Sequence, residues 1–173
     1  MKRLSAKSLA AAVLAACLLA GLSLGFAAPA AAIEVGETLK LPDLVGLDGK
    51  PLPAARWQGK PVILEVWASW CPFCAAQNVN LQKLQDQLKA QNKALPILAV
   101  SVDRERAAAV AYMKAKNYSF SYAMQTPQLA DALGKRRGIP MLYVLDGAGK
   151  VLQKEYGEMV DLDVFDLARY AVP

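Results

Sequence analysis

Cys71 and Cys74 stand two residues apart in Trp70-Cys71-Pro72-Phe73-Cys74, a spacing that lets two thiols close into one small disulfide ring. The only other cysteine, Cys17, lies far upstream. An apolar run over 62–68 leads into the pair, and a helix-like stretch from Ala75 to about Gln91 leaves it. The nucleophile in thiol chemistry is the thiolate. A sulfur where a strand gives way to a helix faces free N–H groups and the positive end of the helix dipole, and both favour the anion. Cys71 is therefore expected to attack a partner's disulfide. Cys74, one turn on, is expected to resolve the mixed disulfide, closing a redox disulfide Cys71–Cys74.

Other uses of the pair fit less well. A zinc site needs four ligands, and the chain has no histidine and no second cysteine pair, so no metal is expected. A structural bridge across so short a ring constrains little chain. A thiol peroxidase needs a Pro- and Thr-containing loop around its cysteine, and none surrounds Cys71. A copper-binding chaperone stays open as a reading of a different class, although Met113, Met124, Met141 and Met159 form no ligand motif. The exchange reaction itself calls for no cofactor.

Glu65 is a lone carboxylate inside the apolar run, six residues before Cys71. A buried, unpaired carboxyl tends to stay protonated until needed, and such a group can take the proton of Cys74 as it attacks, directly or through a water. The alternative is a strand-end carboxylate reaching solvent or Lys60. Further along, Gly138-Ile139-Pro140 precedes an apolar strand. That proline is either a turn residue or, with a cis peptide, one that leaves the backbone of Ile139 to pair with an extended segment of a bound protein. Trp70, Pro72 and Phe73 would then supply the apolar surface around it. Lys135-Arg136-Arg137 reads as a solvated basic turn beside that loop.

These residues need a scaffold. Pieces rich in Pro and Gly run from Glu34 to Gln58. Buried strands are expected over 62–68 and 96–102, with a helix between them that places Leu81, Leu84 and Leu88 on one side. A helix over 104–116, a short strand over 119–124 and a short helix over 127–133 follow. Strands over 141–145 and 151–156 are joined by the turn Asp146-Gly-Ala-Gly-Lys150, and Asp161 is expected to cap a last helix to about Ala171. Strands alternating with helices and then a terminal hairpin make an α/β domain with a mixed central sheet.

The chain of 173 residues suits one domain behind an export leader. Lys2, Arg3 and Lys7 precede an uncharged stretch from Leu9 to Ile33 that ends in Ala30-Ala31-Ala32, which places cleavage after Ala32. The division is thus a signal peptide or membrane anchor at 1–32 and the domain at 33–173. An uncleaved anchor, giving membrane attachment through the N-terminus, and lipidation at Cys17 also fit the leader. Each puts the domain outside the cytoplasm, in the periplasm or on the outer face of the inner membrane. Without the leader, 17 basic and 15 acidic residues remain, so nucleic acid is not an expected partner.

The run Glu65-Val-Trp-Ala-Ser-Trp-Cys-Pro-Phe-Cys74, together with Gly138-Ile-Pro140, resembles the thioredoxin superfamily, and within it the exported TlpA/ResA-like thiol–disulfide oxidoreductases. The resemblance runs from about Leu41 to Ala171. It implies a thioredoxin-like fold with an N-terminal hairpin, and a helix–strand insertion at 104–124 before a cis-Pro140 loop. It also implies a reductase for protein disulfides, acting in cytochrome c maturation or another envelope thiol pathway and re-reduced by a membrane electron transporter. A dithiol oxidase on the same site is the nearest alternative. The sequence departs from the pattern at Pro72-Phe73 between the cysteines, and at Gln77, where several such proteins carry a carboxylate.

Overall fold

The computed structural model describes residues 31–173. Residues 1–30, where most of the expected leader and Cys17 fall, lie outside the described residues.

The sheet begins with the apolar run. Strand β3 (Val62–Trp67) is buried along its whole length and forms the centre of five strands. It pairs in parallel with β4 (Ile97–Ser101), which pairs in parallel with β5 (Ser121–Met124). On its other side it pairs antiparallel with β6 (Met141–Leu145), which pairs antiparallel with β7 (Val151–Tyr156), giving the order β5-β4-β3-β6-β7. Parallel neighbours need crossovers, and antiparallel ones take a tight turn. Helix α1 (Pro72–Ala90) supplies the first crossover and α2 (Arg106–Lys116) the second. The turn between β6 and β7 is held by the Asp146 carboxylate, which accepts from the N–H groups of Ala148 and Lys150.

Because side chains alternate along a strand, β3 feeds two cores. Ile63 and Trp67 face the layer of α1, α2 and α4 (Asp161–Asp166), where Leu81, Leu84, Leu88, Ala109 and Val164 pack. Val62, Leu64 and Val66 face Leu129 and Leu133 of α3 (Pro127–Leu133), together with Leu39, Leu44, Leu52 and Trp57 from the N-terminal segment. That segment includes a small hairpin, β1 (Leu44–Val45) and β2 (Pro51–Leu52). It crosses the whole sheet. Thr38 bridges to Lys150 at one edge, and Gly46 bridges to Ala123 at the other. This is the mixed α/β architecture expected, N-terminal hairpin included, and the helix–strand insertion is α2 with β5.

Two boundaries differ from the sequence expectation for local reasons. Helix α1 starts at Pro72, three residues earlier than expected, because proline at a first helical position has its φ pre-set and loses no bond. The last helix is shorter: α4 ends at Asp166 and a 3-10 turn runs over Leu167–Tyr170. Asp161 does not cap it. Val160 occupies the N-cap position, and the Asp161 carboxylate accepts instead from Asn80 Nδ2 at 2.6 Å.

Candidate active site

Cys71 is the N-cap residue of α1, and its sulfur accepts the N–H of Cys74 at 3.2 Å. The structure holds both cysteines as free thiols. Cys71 retains 4% of its surface, whereas its neighbours Trp70 and Phe73 stand out at 68% and 59%, and Pro72 is also exposed. The Cys71 sulfur thus lies flush in a small apolar platform. Facing it is the loop before β6, where the Ile139–Pro140 peptide is cis and the Ile139 carbonyl lies 3.9 Å from the Cys71 sulfur. Ile139 is half-buried and Pro140 buried. Arg136 and Arg137 of the basic turn are engaged locally, the first with Gln125 and the second over the ring of Tyr156.

Cys74 has no exposed surface. Burial pushes its thiol well above the ordinary range, and the Cys71 sulfur beside it adds to that. Glu65, on the central strand, is also fully buried. Desolvation raises its carboxyl to about 8, opposed only in part by a hydrogen bond from Gln77 Nε2 to Oε1 at 3.2 Å. It therefore reaches neither Lys60 nor solvent. The site's two inner groups, an acid and a thiol, both hold their protons for the same reason: water is excluded from them.

Three further residues belong to this arrangement: Gln77, which the sequence marks only as a departure from the family pattern, and Asp103 and Asn78, which it does not single out. Gln77 spans from Glu65 to the loop before α4, its Oε1 accepting from Met159 N at 3.0 Å. Asp103 holds the segment before the dithiol. Its carboxylate accepts from Ser69 N (2.9 Å), Ser69 Oγ (2.7 Å) and Ser101 Oγ (2.7 Å). Asn78 is buried on the same side of α1 as Cys74. Helical spacing gave a signal for two of them: positions 74, 77, 78, 81, 84 and 88 form one stripe, so Gln77 and Asn78 share the face of the three leucines. Among the described residues, no group of three or more Cys, Asp and Glu side chains is placed to hold a metal.

A thiol pair capping the first long helix, across from a cis-proline and above a mixed sheet, is the architecture of a thioredoxin-like thiol–disulfide oxidoreductase. The chain belongs to the redoxin family, whose model matches residues 25–170. Two relatives are both named thiol:disulfide interchange protein DsbE. That of Escherichia coli (strain K12) is 32% identical over 131 residues, covering 65% of this chain and 67% of the relative. That of Pasteurella multocida (strain Pm70) is 28% identical over 103 residues, and the match covers 59% of this chain and 54%, about half, of the relative. The fold is shared with a thiol:disulfide interchange protein of the thioredoxin family from Chlorobium tepidum TLS. Its crystal structure superposes with a TM-score of 0.68 at 24% identity, covering 80% of this chain and 97% of the other.

Proposed function

We propose that this chain is an extracytoplasmic protein disulfide reductase working through the Cys71–Cys74 dithiol. The Cys71 thiolate attacks one sulfur of a substrate disulfide and expels the other as a thiolate, leaving a mixed disulfide. Glu65, once its own proton has left to solvent, takes the proton of Cys74 as that thiol attacks the Cys71 sulfur. The second substrate thiolate leaves, and the Cys71–Cys74 disulfide closes. Two electrons have then moved from the dithiol to the substrate. Trp70, Pro72, Phe73 and the backbone of Ile139 beside Pro140 form the docking surface, suited to an extended, partly apolar segment.

One observation supports this direction of electron flow. Burial keeps Cys74 protonated, so ionisation gives the reduced form no stabilisation at that sulfur. Strong dithiol oxidants depend on a stabilised reduced form. The reduction potential is therefore expected near the reducing end of the known range, about −270 mV, and a value near −120 mV, roughly the oxidising end, would make the protein an oxidase. The leader over 1–32 supports export, with residues 33–173 as the working domain. In that location the reductase would serve an envelope thiol pathway such as cytochrome c maturation, with a membrane electron transporter as the reductant.

The assignment of roles is tested by capture. Cys71→Ser is expected to abolish exchange, and Cys74→Ser to accumulate mixed disulfides with protein substrates, seen as adducts that a reductant removes. Adducts on Cys71→Ser and none on Cys74→Ser would reverse the two roles. Mass spectrometry of the captured partners identifies the pathway.

A further inference from the structure

The exchange mechanism leaves one group of buried atoms unexplained. Glu65 Oε2, Trp67 Nε1, both polar atoms of the Asn78 amide, and the hydroxyls of Tyr112 and Tyr122 are buried with no hydrogen-bond partner among the described residues. They gather on one side of the sheet. Glu65, Ala99 and Tyr122 occupy one row across β3, β4 and β5, with only the Ala99 methyl between the two polar side chains. Trp67, two residues on from Glu65 along β3, has its ring 4.8 Å from that of Tyr112 and 5.5 Å from that of Tyr122. Burial raises the Tyr112 hydroxyl, and the Asn78 amide is close enough to oppose the rise. The one other such atom, Trp57 Nε1, belongs to the opposite core.

Buried side-chain polar groups are overwhelmingly bonded, to protein or to ordered water. Donors and acceptors mixed in one apolar layer are what a small group of waters satisfies. The reaction also needs a way out for a proton. Glu65 must shed the proton it holds before it can take that of Cys74, yet it has no surface of its own, and a substrate seated over Trp70 and Phe73 closes the platform side. Tyr112 is only half-buried, and Lys116 Nζ stands 5.9 Å over its ring, so this layer approaches the surface at α2.

We infer that Glu65, Trp67, Asn78, Tyr112 and Tyr122 enclose an internal water site, and that the proton Glu65 receives from Cys74 returns to solvent through it, past Asn78 and Tyr112. The inference rests on Glu65 as the proton acceptor. Other ionisable groups on this side include Cys71 and Cys74 of α1, Lys116 of α2, Tyr118 before β5, Tyr170 near the C-terminus, and Glu155 of β7, which Leu142 separates from Glu65.

Two measurements test it. In the reduced, 15N-labelled wild type, the Trp67 indole N–H and the Asn78 amide protons are expected to show direct cross-relaxation with long-lived water. Dry protons at both positions would overturn the site without touching the role of Glu65. The second measurement follows release of a chromophoric thiol from its mixed disulfide with Cys71, as a function of pH, with Cys71's own attack as the internal reference. Asn78→Leu and Tyr112→Phe should slow release about tenfold, a modest share of what positioned proton transfer contributes. They should also move its pH inflection upward, while Asn78→Ser retains most of the rate. Slow release in Glu65→Gln with unchanged release in Asn78→Leu and Tyr112→Phe would overturn the route alone. Unchanged release in Glu65→Gln would overturn the Glu65 assignment and the route with it.

Discussion

Glu65 has one oxygen bonded to Gln77, the other buried without a partner among the described residues, and a carboxyl that holds its proton to about pH 8. The same desolvation acts on folding. The unfolded chain releases this proton near 4.5, so between 4.5 and about 8 the native state carries a proton that the unfolded state has lost. Stability attributable to Glu65 therefore falls as pH rises through that window and levels off above it. At about 1.4 kcal/mol per pH unit, the rise from 4.5 to about 8 corresponds to an upper bound of roughly 5 kcal/mol. Glu65→Gln should be close to wild type at pH 4 and progressively more stable than it toward pH 9, as read by urea denaturation. A stability difference independent of pH would contradict the raised carboxyl. The buried acid is thus kept at a cost that grows in the pH range where it becomes a base.

Helix α1 shows what a sequence can and cannot disclose about an element. Its leucines at 81, 84 and 88 announce the buried stripe, and the Cys-x-x-Cys spacing with the preceding apolar run announces the site. The polar half of that stripe is harder to read, because Gln77 and Asn78 have the composition of a solvated surface. Only the partners assembled by the fold, Glu65 from the central strand and Met159 from the far loop, show why Gln77 faces inward. The Asp103 clamp is hidden for a similar reason: Ser69 and Asp103 lie 34 residues apart in the chain and meet only when β3 and β4 pair. Asp103→Ala would leave the Ser69 N–H, the Ser69 hydroxyl and the Ser101 hydroxyl without their acceptor. We expect a loss of about 3 kcal/mol in denaturant unfolding, the scale of breaking a buried charged network, together with slower attack by Cys71 because the segment before it is no longer held. Asp103→Asn should lose less, since its amide still accepts on one side.

At the scale of the molecule, the order of elements follows from hydrophobic patterning and turn residues, whereas the path of the N-terminal segment does not. Short extended pieces between prolines and glycines carry little period, and what places them is pairing with strands distant in sequence. Gly36 N donates to Val151 O, Val151 N to Glu37 O, and Leu47 N to Tyr122 O, each at 2.8 Å. One stretch of chain therefore supplies partners for both outermost strands, β7 at one edge and β5 at the other. An unpaired strand edge is a template for another chain. The proposed exchange with other protein chains gives particular reason to keep such edges closed. Removing residues 33–52 should uncover both edges and a core face together, and the expected result is concentration-dependent self-association in light scattering; a monomeric product would show that the edges are protected by other means. The strap that looks like a preamble to the fold is thus its safeguard against edge-to-edge pairing with other chains.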